Sequence, residues 1–115
     1  MSNRLLKSFK WAFKGLWNTI KTQLNMKIHL GVTFLVFIVG WVVGLSRMEW
    51  AIIGLAIALV LAAETFNTAL EYLADALSPG FHPLIGQAKN AAAGAVLIAA
   101  ILAALIGLLI FLPHL

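Results

Sequence analysis

The chain has 115 residues, of which 63% are hydrophobic and 10% charged, and it carries a formal net charge of +4. A soluble domain usually has about a quarter of its residues charged, so this balance points to a membrane protein. There is no cysteine, which excludes disulfides and thiolate chemistry.

Residues 3–23 read as an amphipathic helix. Leu5, Leu6, Phe9, Ala12, Phe13, Leu16, Trp17 and Ile20 share one arc, and Arg4, Lys7, Lys10, Lys14 and Lys21 the opposite one. Such a helix lies in the membrane interface, with its lysines toward the headgroups. Six of the eight Lys and Arg residues precede Ile28, so the positive-inside rule places the N-terminus in the cytoplasm. Basic residues beside a membrane favour anionic lipid over nucleic acid as partner. The basic start lacks the apolar run and small-residue cleavage site of a signal peptide.

Residues 28–46 form the first expected crossing, with Thr22 or Asn25 as its cap. Gly40 and Gly44 are a small-xxx-small pair suited to close approach by another helix. Ser46–Glu49 reads as a short external turn, with Trp41 and Trp50 as interfacial belt residues.

Residues 50–77 form the second crossing, and it carries the chemistry. With Glu64 at 0°, Asn67 falls at about −60°, Glu71 at about −20°, Asp75 at about +20° and Thr68 at about +40°. Three of the four acidic residues and an amide thus share one stripe. Glu64 lies about 21 Å along the helix from Trp50, in the inner half of the bilayer. Carboxylates at such depth face a protein interior or a wet cavity. Ser78–Pro83 breaks the helix in the cytoplasm. The third crossing spans 86–112, with Lys89 near its start and no polar side chain from Val96 to Leu112.

Carboxylates, an amide and a lysine at the inner face suit phosphoryl transfer to a lipid hydroxyl. Glu71 and Asp75 suit Mg²⁺, which takes one or two carboxylates plus substrate phosphates. Glu64, the deepest of the three carboxylates, suits a general base. Lys89 suits phosphate charge. No Walker-type glycine loop is present.

Two motifs carry a family resemblance: Glu64-x-x-Asn67-Thr68-Ala69-x-Glu71-x-x-x-Asp75, and Ala88-Lys89-Asn90 followed by Ala93-Gly94-Ala95-Val96-Leu97. Over about the whole chain it resembles the small bacterial integral-membrane diacylglycerol kinase and undecaprenol kinase family. Asn25-Met26-Lys27-Ile28-His29 and Glu49-Trp50 look most like the undecaprenol kinase branch. The resemblance implies an all-α homotrimer in the bacterial inner membrane. Each protomer would be a single domain, residues 1–115, with a surface helix and three crossings. It implies ATP and Mg²⁺, with Glu64 as catalytic base and Glu71 as metal ligand. Lys89 would lie on the nucleotide phosphates, with Asn67 and Asp75 beside it. Arg4, Trp11, Gly80, Phe81 and His82 fall where the family contacts ATP. Gln23 stands where many members have a metal-binding Glu, and Asn90 where they have an Asp. Both keep shape and lose a charge, which leaves a catalytically impaired homologue as one alternative. A proton-coupled transporter is another, and it requires a carboxylate reachable from both sides.

Overall fold

A computed structural model describes residues 2–115, and its long elements are all α-helices. They are α1 (Ser2–Thr22), α2 (Leu24–Val43), α3 (Arg47–Leu77) and α4 (Pro83–Phe111), followed by a single 3-10 turn, Leu112–His114. The last three helices are long and apolar enough to cross a membrane. At 1.5 Å per residue α3 is about 46 Å long, well beyond a hydrocarbon core of about 30 Å.

The helix boundaries differ from the expected ones for local reasons. α2 starts at Leu24 behind an extended Gln23 (φ −103°, ψ 117°) that makes no side-chain cap. Thr22 is not the cap, because its hydroxyl donates back to Asn18 O at 2.7 Å. Asn25 lies inside the helix. Arg47–Glu49 is not a turn but the first turn of α3, closed by a reciprocal cap. Glu49 N donates to Ser46 Oγ at 3.1 Å, and Ser46 N donates to Glu49 Oε1 at 2.9 Å. α4 begins at Pro83, three residues early, because proline suits a first helical position and His82 Nδ1 accepts from Leu84 N at 3.2 Å.

The two glycines of α2 do separate jobs. Gly44 ends the helix in the left-handed region (φ 76°), its N–H on Gly40 O. Gly40 admits a close neighbour, and that neighbour belongs to the next segment of the same chain. A Cβ there would stand 2.7 Å from the Trp50 ring and 2.9 Å from Leu45 Cδ1.

α3 packs most extensively on α4, with α2 alongside. The apolar core lies at the α2–α3 turn, where Leu45, Ile53 and Ile110 are buried against Val36, Trp50, Ile57 and Ile106. The Phe37 and Trp50 rings meet there at 5.8 Å. His114 Nε2 lies 3.0 Å from Glu49 Oε2, tying the last turn to the start of α3. Outside this core many large apolar side chains face outward: Phe34, Trp41, Leu55, Ile98 and Leu109 are all exposed. Hydrocarbon, rather than water, suits such a surface.

Candidate active site

The polar stripe of α3 is ordered by depth. Glu64 and Thr68 are each only 2% exposed and Asn67 7%. Glu71 is half-buried and Asp75 exposed. Thr68 does not project a free hydroxyl, since its Oγ1 donates to Glu64 O at 3.0 Å. Asn67 Nδ2 donates to Glu71 Oε1 at 3.2 Å, holding that carboxylate from one turn away. Two buried atoms have no hydrogen-bond partner among the described residues: Glu64 Oε2 and Asn67 Oδ1. Unsatisfied buried oxygens are costly, and such a pair marks a candidate place for a ligand.

Lys89 reaches across from α4 to Asp75, Nζ to Oδ1 at 2.7 Å. The pair closes the α3–α4 interface near the loop, and both side chains are partly open to solvent. Gln23 Nε2 donates to Thr22 Oγ1 at 3.3 Å. Thr22 Oγ1 lies 3.4 Å from the Tyr72 hydroxyl, which also accepts from Asn18 Nδ2 at 3.2 Å. This chain of contacts fastens the last turns of α1 to α3 beside Glu71.

The other expected residues are not gathered by direct contacts. Trp11 is exposed, with Lys14 Nζ 4.9 Å and Lys10 Nζ 5.7 Å from its ring centroid. Arg4, Gly80 and Asn90 are exposed, and Phe81 is 92% exposed. His82 serves as the α4 cap through Nδ1.

Sequence reasoning did not assign His29 a place in the site. Its Nε2 lies 3.7 Å from Glu64 Oε2. The available signal was His29 and Thr33, four residues apart and so on one face of an otherwise apolar helix. Both line a groove of about 390 Å³ walled by α2, α3 and α4, where they are the polar members of the lining. Measured along the helices, His29 is about 8 Å from the start of α2 and Glu64 about 20 Å from the end of α3. α3 therefore runs about 12 Å past the α1–α2 junction, so that about its last two turns stand beside α1 and the start of α4.

Residues 10–111 match the family described as prokaryotic diacylglycerol kinase. The chain belongs to that family. It is 45% identical over 113 residues to the undecaprenol kinase of Bacillus subtilis (strain 168), covering 98% of this chain and 92% of that protein. It is 38% identical over 112 residues to a diacylglycerol kinase of Synechocystis, covering 96% of this chain and 64% of that protein. A diacylglycerol kinase of Haemophilus influenzae is 25% identical over 95 residues, covering 83% of this chain and 80% of that protein. The protein is thus a lipid kinase, and the transporter reading falls away. In a member of that family, the buried, unpaired carboxylate of Glu64 and the oxygen pair at Asn67 and Glu71 stand as the candidate centre.

A divalent cation fits this donor set. No group of three or more His, Asp or Glu residues converges among the described residues. Mg²⁺ does not need one, because it commonly takes one or two carboxylates and completes its shell with water and phosphate oxygens. Glu71 and the unpartnered amide oxygen of Asn67 are hard donors of that kind.

Proposed function

We propose that the protein transfers the γ-phosphoryl group of ATP to the hydroxyl of a membrane lipid alcohol at the cytoplasmic face of the bacterial inner membrane. Undecaprenol is the favoured acceptor and diacylglycerol the second. The favoured acceptor rests on the Bacillus subtilis relative, an undecaprenol kinase matched over nearly the full length of both proteins. The observation that carries the reading is Glu64, a carboxylate buried at membrane depth whose Oε2 has no hydrogen-bond partner. A buried polar atom left free is what a general base needs before its substrate arrives.

Glu64 accepts the proton of the lipid hydroxyl as that oxygen attacks. Asn67 holds Glu71, beside the nucleotide, and Glu71 with Gln23 would hold Mg²⁺, which would supply positive charge to offset the phosphates. Lys89 leaves or shares Asp75 to meet the nucleotide phosphates. Arg4, Trp11, Asn90 and the Gly80-Phe81-His82 loop wall the nucleotide side. α1 lies on the membrane surface with its lysines toward anionic headgroups, and the early clustering of Lys and Arg sets the N-terminus inside. Three copies assemble as a homotrimer.

Reconstitution in vesicles with ATP, Mg²⁺ and each lipid alcohol tests the reading, with Glu64→Gln as control. Phosphorylation of undecaprenol in preference to diacylglycerol, lost in the variant, is the expected result. No transfer to either lipid, even after Gln23→Glu and Asn90→Asp, would sink it and favour an impaired homologue.

A further inference from the structure

We propose that His29 is a second catalytic contact for the acceptor lipid, which seats the attacking hydroxyl between His29 Nε2 and Glu64 Oε2. The proposal rests on Glu64 as the base and names its companion. The two atoms stand 3.7 Å apart, too far for a hydrogen bond to each other and too close to be unrelated. Glu64 Oε2 has no other partner, and its residue is almost fully buried. A hydroxyl oxygen about 2.8 Å from each atom closes a triangle on that base. It would donate its proton to Glu64 Oε2 and accept from a neutral imidazole carrying its hydrogen on Nε2.

The placement of His29 gives the pair its direction. His29 sits about a turn and a half into α2, so its ring is at membrane depth rather than in the headgroups. It stands in the lining of the apolar groove between α2, α3 and α4, which gives a lipid an approach to His29 from the hydrocarbon side, with Glu64 behind the ring and outside the lining. Its own carbonyl is occupied by Thr33 Oγ1 at 2.7 Å, while the ring nitrogens make no hydrogen bond among the described residues. Its side chain is 21% exposed, so the ring is reachable without being open to bulk water.

The step balances with ATP as donor. The lipid oxygen bonds to the γ-phosphorus, the bond from that phosphorus to the bridging oxygen breaks, the hydroxyl proton moves to Glu64 Oε2, and ADP leaves. His29 donates to the lipid oxygen throughout. It aligns that oxygen and stabilises the negative charge that grows on it as the proton departs. A fixed donor aimed at developing charge in a water-poor site typically contributes about 10²–10³-fold in rate.

The test compares His29→Leu, His29→Gln and His29→Ala in the full chain, reconstituted in undecaprenol-containing vesicles. His29→Leu should lower kcat by about 10²-fold with the KM for ATP unchanged. His29→Gln keeps an N–H donor of similar reach and should stay within about fivefold of the parent. His29→Ala should recover activity with added imidazole, which decides the matter if His29→Leu does not fold. His29→Leu or His29→Ala at parental kcat, or a folded His29→Gln as poor as His29→Leu, or no recovery with imidazole, would overturn the proposal. Glu64→Gln, run alongside, separates the two failures. If Glu64→Gln is inactive while His29→Leu is active, this contact alone is wrong. If Glu64→Gln is active, the base assignment is wrong and the contact falls with it.

Discussion

The two ends of α3 are built on opposite principles. At its start, polar groups are paired within the chain: Ser46 and Glu49 cap each other, and Glu49 also meets His114. Gly40 takes the Trp50 ring at a distance no side chain would allow, and Ile53 is buried against Ile110. In the second half of α3, Glu64 and Asn67 each keep a buried oxygen free, and the α1 contacts are long and exposed. Natural proteins leave local rules broken mainly where function requires it. One end of this helix is paired within the chain, and the other leaves buried oxygens unpaired, as the proposed site requires.

Substitutions at the two ends should therefore fail in different ways. The largest effect is expected at Glu64. Glu64→Gln should reduce lipid phosphorylation by about 10²–10⁴-fold, the range for losing a general base. Its thermal stability in detergent, followed by tryptophan fluorescence, should be unchanged or raised, because a buried carboxylate without a partner is replaced by a neutral amide. A fall in stability as large as the fall in activity would break the contrast. Gly40→Val should behave in the opposite way. Overpacking against Trp50 and Leu45 should cost about 1–3 kcal/mol, read by denaturant titration in mixed micelles. Turnover per folded enzyme should stay at the parental level.

A smaller effect is expected where α1 meets α3. Tyr72→Phe removes the hydroxyl that joins Asn18 and Thr22 to α3. With α1 less firmly held, the KM for ATP should rise about two- to fivefold, the scale of one modest hydrogen bond. Because α1 also carries Arg4 and Trp11, a change confined to kcat would argue against their placement at the nucleotide.

Much of this division is legible in the sequence because helical phase is local. The Glu64–Asp75 stripe follows from spacing alone, and its gradient from buried to exposed follows from counting residues from Trp50. Three long helices follow from apolar run length. The missed features all depend on pairing between segments. That His29 stands opposite Glu64 depends on how α2 and α3 are aligned, which no periodicity within either helix specifies. Gly40 does seat another helix, as its spacing with Gly44 suggests, but that the helix is α3, presenting the Trp50 ring ten residues on, depends on the reversal at the left-handed Gly44. The position of Lys89 near a helix start suits it to phosphate. Its 2.7 Å contact with Asp75 depends on the α3–α4 packing.

The smallest effect sharpens the comparison most. Ser46→Ala removes the oxygen that accepts from Glu49 N but leaves Ser46 N free to donate to Glu49. Loss of such a cap usually costs about 1 kcal/mol. The cost should fall at or below that figure, because the turn is open to water and His114 still holds Glu49. No change in the KM for lipid or ATP is expected, since Glu64 lies about 27 Å away along α3. A shifted lipid KM would mean that α3 moves as a rigid rod, so that a loosened cap at one end displaces the carboxylate near the other. Unchanged KM values with the stability loss would mean that the packed core around Ile53 absorbs the disturbance, which leaves the two ends mechanically separate.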